Sequence, residues 1–327
     1  ENTEITRSII NNMAQSDYFD IVNDVNTLNA YRGDTPLQDT RSLLQSGRVN
    51  FVLTIPSGFS KAWVRGEKPS LLLEADATDP AAAAMAVAQI KPIVDRTLAD
   101  IQIGSLDYLK PKPSSITTLV HNKYNPEGIS QFNILPGLLG VILTMTMVMI
   151  TSIAMTREAE RGTMENLLAM PSKPLEVMIG KITPYVLMGL VQTMIILLAS
   201  NMLFHLPFVG SGSTFGLGVG LFILVNLAIG FTFSTIAKSQ MQAMQLTFFF
   251  FLPSMLLSGF MFPFQGMPKW AQYLGEILPL THFLRIVRGI MLKGTSLSLL
   301  SNEFLALLAI LIIVGIIAML RYRQTLD

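Results

Sequence analysis

Residues 132–155 read FNILPGLLGVILTMTMVMITSIAM, an unbroken apolar stretch without one ionisable side chain. Wound as an α-helix at about 1.5 Å per residue, it reaches roughly 36 Å, enough to cross a hydrocarbon core about 30 Å thick. Four further runs share this character: Ile182–Phe204, Phe215–Ala237, Leu246–Phe264 and Phe304–Leu320. None carries Asp, Glu, Lys, Arg or His in its interior. Buried core helices of a large soluble protein would be the alternative, but five such stretches in under 200 residues weigh against it. The fold class expected is a membrane α-helical bundle with five transmembrane helices in residues 132–327.

Composition agrees. Hydrophobic residues make up 50% of the 327, and charged residues only 14%, where a soluble domain would carry roughly a quarter charged. The net charge of +1 points to no nucleic-acid partner, and the absence of Cys excludes disulfides, thiolate metal sites and a Cys nucleophile.

Residues 1–131 have a different texture and are expected to form an N-terminal α/β domain. Helical patterns at Ile5–Met13 and Leu37–Leu44 alternate with strand-like runs at Phe19–Val25, Asn50–Ile55 and Ser70–Ala75, with a short helix at Ser57–Val64. Asp79 and Pro80 open an Ala-rich helix running to about Ile101, an N-cap followed by Pro at the first helical position. The Pro-containing stretch Leu109–Ser115 reads as a connector.

Orientation follows from Lys and Arg in the short loops. One side receives Arg157, Arg161, Lys173, Lys181, Lys238, Arg321 and Arg323; the other receives Lys269, Arg285, Arg288 and Lys293. The richer side is expected to be cytoplasmic, which puts residues 1–131 outside. Delivery of such a domain across the membrane predicts a further span before Glu1, six in all.

The inner loop after the first run is the most informative. Residues 156–170 place Met164, Leu167 and Leu168 on one helical face, with Glu158 and Arg161 three residues apart. Pro171 and Pro174 then turn the chain back to the membrane. Such a helix, joined to two spans, can transmit a push from a cytosolic partner, or it can merely anchor the loop at the interface. Residues 265–302 form a second feature, with Trp270 and Tyr273 suited to a membrane interface and Arg285 and Arg288 on an apolar helix. These read as short helices at or dipping into the outer leaflet. The arginines serve there either to attract anionic groups or to snorkel in a structural role.

Inside the membrane Met145, Thr146, Met149, Gln192 and Asn226 are candidate cavity residues. Thioethers suit a permissive apolar cavity, although Met and Thr also serve ordinary helix packing. No ionisable group lies mid-membrane to harness an ion gradient, and no G-x-x-x-x-G-K-[ST] loop is present to bind ATP. Work must come from another protein.

Several segments then resemble a known family. Tyr124–Glu127 with Phe132–Leu139, the run Arg157–Glu165, Gly180–Tyr185, Ser258–Pro263, Leu278–Thr281 and Arg288–Gly294 together resemble ATP-binding-cassette type-2 (ABC-2) permeases, over about residues 120–327. The N-terminal domain is similar to the extracytoplasmic domain of the drug-exporter branch. The resemblance implies a type V exporter-like fold with six helices per subunit, in the bacterial inner membrane. It implies two cytosolic ATPase subunits holding ATP and Mg, a second permease copy or paralogue, contact with membrane lipid, and room for a periplasmic adaptor. This chain itself is expected to bind no cofactor or metal and to have no catalytic residue. Glu158, Arg161, Gly162, Thr163, Glu165 and Leu168 are the ATPase-coupling residues it implies. The function implied is export of hydrophobic or amphipathic molecules. A polysaccharide or lipid-linked glycan exporter, a secondary transporter and a non-transporting scaffold or receptor are the alternatives.

Overall fold

The computed structural model describes residues 3–16, 19–21, 37–103, 116–161 and 174–324. The chain divides into two compact units, Glu1–Ser130 and Gln131–Asp327.

The first unit is a three-stranded sheet with helices packed on it. Helix α1 (Glu4–Gln15) starts at Thr3, whose hydroxyl accepts from the Thr6 N–H while the Thr6 hydroxyl accepts from the Thr3 N–H at 2.9 Å. This reciprocal cap satisfies two N–H groups that have no partner inside the helix. Ile5, Ile9 and Met13 then fall on one buried face. Helix α2 (Leu37–Gln45) precedes strand β1 (Phe51–Thr54), helix α3 (Phe59–Val64), strand β2 (Ser70–Asp76), helix α4 (Pro80–Ile103) and strand β3 (Thr117–Lys123). Asp79 Oδ1 accepts the Ala82 N–H at 3.2 Å, the cap expected for α4.

The strands lie in the order β1-β2-β3, antiparallel between β1 and β2 and parallel between β2 and β3. Leu71 and Leu73, two residues apart on β2, meet Ile9, Trp63, Ile90 and Val94 in the core. Residues 19–21 carry no regular structure, and the rest of the strand expected at 19–25 lies outside the described residues, as does the connector expected at 109–115. Strand β3 is an addition. At the exit of this unit Asn125 closes a turn, its side chain donating to the Ile129 carbonyl and accepting the Ile129 N–H, each at 3.0 Å.

The second unit is helical: α5 (Ser130–Glu160), α6 (Pro174–Phe204), α7 (Gly212–Ile236), α8 (Gln240–Leu257), a 3-10 turn (Phe264–Gly266), α9 (Lys269–Ile277), α10 (Pro279–Lys293) and α11 (Ser301–Gln324). Among the described residues four segments are long and apolar enough to cross a membrane, Ser130–Glu158, Ile182–Phe204, Gly212–Ile236 and Ser301–Arg321. The run expected at Leu246–Phe264 forms instead an 18-residue helix that begins earlier, with Gln240, Gln242 and Gln245 in its first turns. It stops seven residues short of Phe264 because Gly259 turns with φ +86° and Pro263 follows.

On α6 and α11 large apolar side chains such as Leu187, Met194, Leu203, Leu305, Ile313 and Leu320 are exposed. A contiguous apolar exterior of this kind is stable in lipid and not in water. The chain is a multi-pass membrane protein.

Helix α10 sits at the centre of this unit although it does not span. Pro279 occupies its first turn, and Gly294, at φ +65°, ends it. Phe283 on α10 stacks on Phe222 of α7 with ring centroids 3.9 Å apart and planes 5° from parallel. Small residues let the helices close in. A Cβ on Gly140 would lie 2.8 Å from Leu280 Cδ1, and one on Gly230 only 2.7 Å from the Val148 carbonyl oxygen.

Candidate functional site

At the C-terminal end of α5, Glu158 is half-buried and Arg161 is exposed in the turn that ends the helix, its N–H donating to the Arg157 carbonyl at 3.1 Å. Gly162, Thr163, Glu165 and Leu168 lie outside the described residues, so only the start of the segment expected to couple to an ATPase is in view. Sequence reasoning passed over Glu160, and the structure gives it a partner. Glu160 Oε1 accepts the Gln240 backbone N–H at 2.9 Å and Oε2 accepts Gln240 Nε2 at 2.6 Å. A carboxylate therefore covers the N-terminus of α8, where the helix dipole favours negative charge. The side-chain bond, then the backbone bond, holds the Glu160 carboxyl below its ordinary pKa. Hydrogen bonding at that site stabilises the ionised form. A Glu shortly before an inner-loop Gly was visible in the sequence; its partner, far along the chain, was not.

Mid-membrane, the five candidate cavity residues do not form one cluster. Thr146 and Gln192 meet: the Thr146 hydroxyl lies 3.0 Å from Gln192 Oε1 and 2.8 Å from the Ile142 carbonyl. One hydroxyl proton cannot serve both acceptors, so the Gln192 amide satisfies the pair with its NH2 turned to Thr146. Met145 and Met149 are half-buried on the same helix. Asn226 is fully buried, its Nδ2 donating to the Phe222 carbonyl at 2.9 Å, and no donor among the described residues reaches its Oδ1. A cavity of about 290 Å³ opens elsewhere, lined by Leu197, Leu198, Asn201, Leu206, Phe208 and Met291.

The hairpin of α9 and α10, expected on the outer side, holds a charged cluster built from three helices. Arg285 on α10 forks onto the Glu276 carboxylate of α9, with Nη1 to Oε2 at 3.0 Å, and reaches Glu303 Oε1 on α11 at 3.4 Å. Its guanidinium also lies over the Phe264 ring, 4.7 Å from the centroid. His282 Nδ1 lies 2.6 Å from Glu303 Oε2, and Nε2 lies 2.9 Å from the Glu276 carbonyl. Arg288 Nη1 donates to the Gly259 carbonyl at 3.1 Å. Snorkelling does not describe these arginines: one is fixed by two carboxylates, the other by the turn that ends α8. The pairings run across three elements, beyond what helical periodicity registers. Among the described residues no three His, Asp or Glu side chains converge as a metal set.

Comparison with known proteins follows the same outline. A model of the ABC-2 family transporter protein matches residues 1–320. The chain is 29% identical over 287 residues to a probable multidrug ABC transporter permease, YbhR, of Escherichia coli, covering 88% of this chain and 77% of the relative. It is 31% identical over 291 residues to the inner membrane transport permease YhhJ of the same species, covering 86% and 75%. It also aligns at 27% identity over 215 residues with ABC transporter G family member 20 of Dictyostelium discoideum, covering 64% of this chain and 29% of that one.

Proposed function

Because the chain belongs to the ABC-2 family of transporter proteins, we propose that it is the permease subunit of an ATP-driven exporter moving hydrophobic or amphipathic small molecules, drug-like or lipid-like, out across the inner membrane. The observation that carries this reading is the pairing of an apolar span bundle with an inner loop fastened to it. The apolar runs carry no ionisable group at mid-membrane depth for ion coupling, and the Glu160–Gln240 clamp joins the end of the coupling segment to α8. The word multidrug in one relative's description, and inner membrane in another's, agrees with the substrate class and location.

In this reading two cytosolic ATPase subunits bind ATP and Mg, and the segment from Glu158 to Leu168 docks on them. Closure of the ATPases tilts α5, and through Glu160 it also pulls α8. A second permease, identical or paralogous, completes the pathway. Helix α8 counts as a fifth span, and residues 1–131 face outward as the Lys and Arg distribution indicates. Met145, Thr146, Met149, Gln192 and Asn226 remain the proposed lining of the path.

The test is reconstitution with the cognate ATPase in inverted vesicles. ATP-dependent uptake of an amphipathic dye, lost on removing the ATPase, supports the reading. Transport by this chain without any nucleotide-hydrolysing partner overturns it.

A further inference from the structure

The geometry at the outer hairpin constrains one proton. The Glu276 carbonyl oxygen can only accept, so His282 Nε2, 2.9 Å away, must carry a hydrogen. The other ring nitrogen, Nδ1, then faces Glu303 Oε2 at 2.6 Å. At that distance two bare lone pairs repel, so a proton has to lie between nitrogen and oxygen. With it, His282 and Arg285 balance Glu276 and Glu303, and the cluster is neutral. Without it, the cluster carries one net negative charge, at a place where His282 is only 6% exposed.

We propose that the His282–Glu303 pair is a proton-dependent latch that holds the outer hairpin of α9 and α10 against the last span, shut while the shared proton is present and loosened when it leaves. The contacts on either side make this a joint and not an isolated bond. Glu276 belongs to α9, His282 and Arg285 to α10, and Glu303 to the first turn of α11. Leu278 is the single residue between α9 and α10. Losing the shared proton therefore loosens the tie of both short helices to α11, while Arg285 keeps its bond to Glu303 Oε1 and α10 stays packed on α7.

On α9 and α11 the other titratable groups are Lys269 and Tyr273, and Arg321, Tyr322 and Arg323 at the far end of α11. Helices α7 and α8, packed against α10, contain no Asp, Glu, Lys, Arg or His, and neither does the outer half of α5. Arg288, one turn along α10, is engaged with the Gly259 carbonyl, and Lys293 lies at the far end of the helix. Burial opposes the charge on His282, but the bonds to Glu303 and to the Glu276 carbonyl outweigh it and raise the imidazole pKa above its ordinary value. For a raised basic group the stabilisation is complete below about pH 6.5, the unperturbed value, and is lost as pH rises through the native value. Above that point the shut-to-open ratio falls by up to about tenfold per pH unit.

A consequence for transport rests on the exporter reading; the closing experiment does not. The chain has no Cys, so a spin-label pair can be placed cleanly at Tyr273→Cys on α9 and Leu305→Cys on α11, both exposed. Distances are measured by pulsed electron resonance on the purified chain in lipid nanodiscs, without nucleotide, between about pH 6 and about pH 9, spanning the ordinary histidine range. The latch predicts one short distance at the acidic end and a second, longer population at the alkaline end. Glu303→Gln is expected to remain shut at both, because an amide N–H can donate to the bare Nδ1 of neutral His282. His282→Gln is expected to lose the pH response altogether. An unchanged distribution in the unsubstituted pair background across this range overturns the proposal, as does a Glu303→Gln protein that opens with pH like its parent.

Discussion

Glu160 and Gln240 are joined twice, through the backbone N–H of Gln240 at 2.9 Å and through its side-chain amide at 2.6 Å, although they are 80 residues apart in sequence. The inner end of the first described span is thereby fixed to the start of α8. Helix α8 in turn runs to the Gly259 turn, whose carbonyl accepts from Arg288 on the buried helix α10. Two side chains thus link the end of α5 to α10 through α8.

Removing the first link is expected to separate ATP consumption from transport. With Glu160→Ala, the partner ATPase should turn over at close to its usual rate while dye transport falls several-fold. Both are read in the same reconstituted vesicles. Glu160→Gln keeps an acceptor for one of the two bonds and should fall in between. Equal transport per ATP in all three proteins would show that the clamp is not part of the linkage.

Glu158 and Arg161 stand at the base of the proposed coupling segment. Substituting either by Ala is expected to leave the folded protein intact, seen as an unchanged elution profile and melting temperature, while transport per ATP drops. Normal transport by both variants would remove them from the coupling role.

Gly230 is a packing requirement. A Cβ there meets the Val148 carbonyl oxygen at 2.7 Å, and a backbone atom cannot rotate away. Gly230→Ala is therefore expected to cost about 1–3 kcal/mol, the usual range for overpacking, visible as a lowered melting temperature in detergent. Gly220, with open space around its Cβ position, is the control. There Ala should be neutral or slightly stabilising, since Gly is the poorer helix former by up to about 1 kcal/mol.

Phe283 and Phe222 are both fully buried and stacked. Phe283→Ala removes a ring from the centre of the unit and is expected to destabilise by about 3–5 kcal/mol. Phe283→Leu, closer in volume, should cost less. Thermal unfolding followed by intrinsic fluorescence distinguishes the two.

Much of this architecture was legible because its signals are local. An apolar run without charge is a property of consecutive residues, so the spans around 132–155, 182–204, 215–237 and 304–320 could be placed from sequence. The Asp79–Pro80 start of α4 was equally local. The run at 246–264 was placed with shifted bounds because apolarity does not report direction. Ser258 to Phe264 is as greasy as the helix before it, yet the backbone turns at Gly259. Strand β3 escaped because its residues, TTLVHNK, lack a clean alternation and owe their conformation to pairing with β2. The charged cluster and the Glu160 clamp escaped for a related reason. Each depends on side chains meeting across helices, and the residues involved look like ordinary surface polar groups until the helices are assembled.

The burial of α10 also fixes an order of events during synthesis. Fifteen residues of helix are about 22 Å long, too short for the roughly 30 Å of hydrocarbon, so this segment cannot be laid into the bilayer as a span when it leaves the ribosome. Its partner α7 is already made, but α11 follows only afterwards, and Glu303 arrives with it. Docking of the hairpin on α11 is thus among the last steps of biogenesis, and a nascent chain halted before residue 301 would leave the α11-facing side of the helix uncovered to the quality-control machinery.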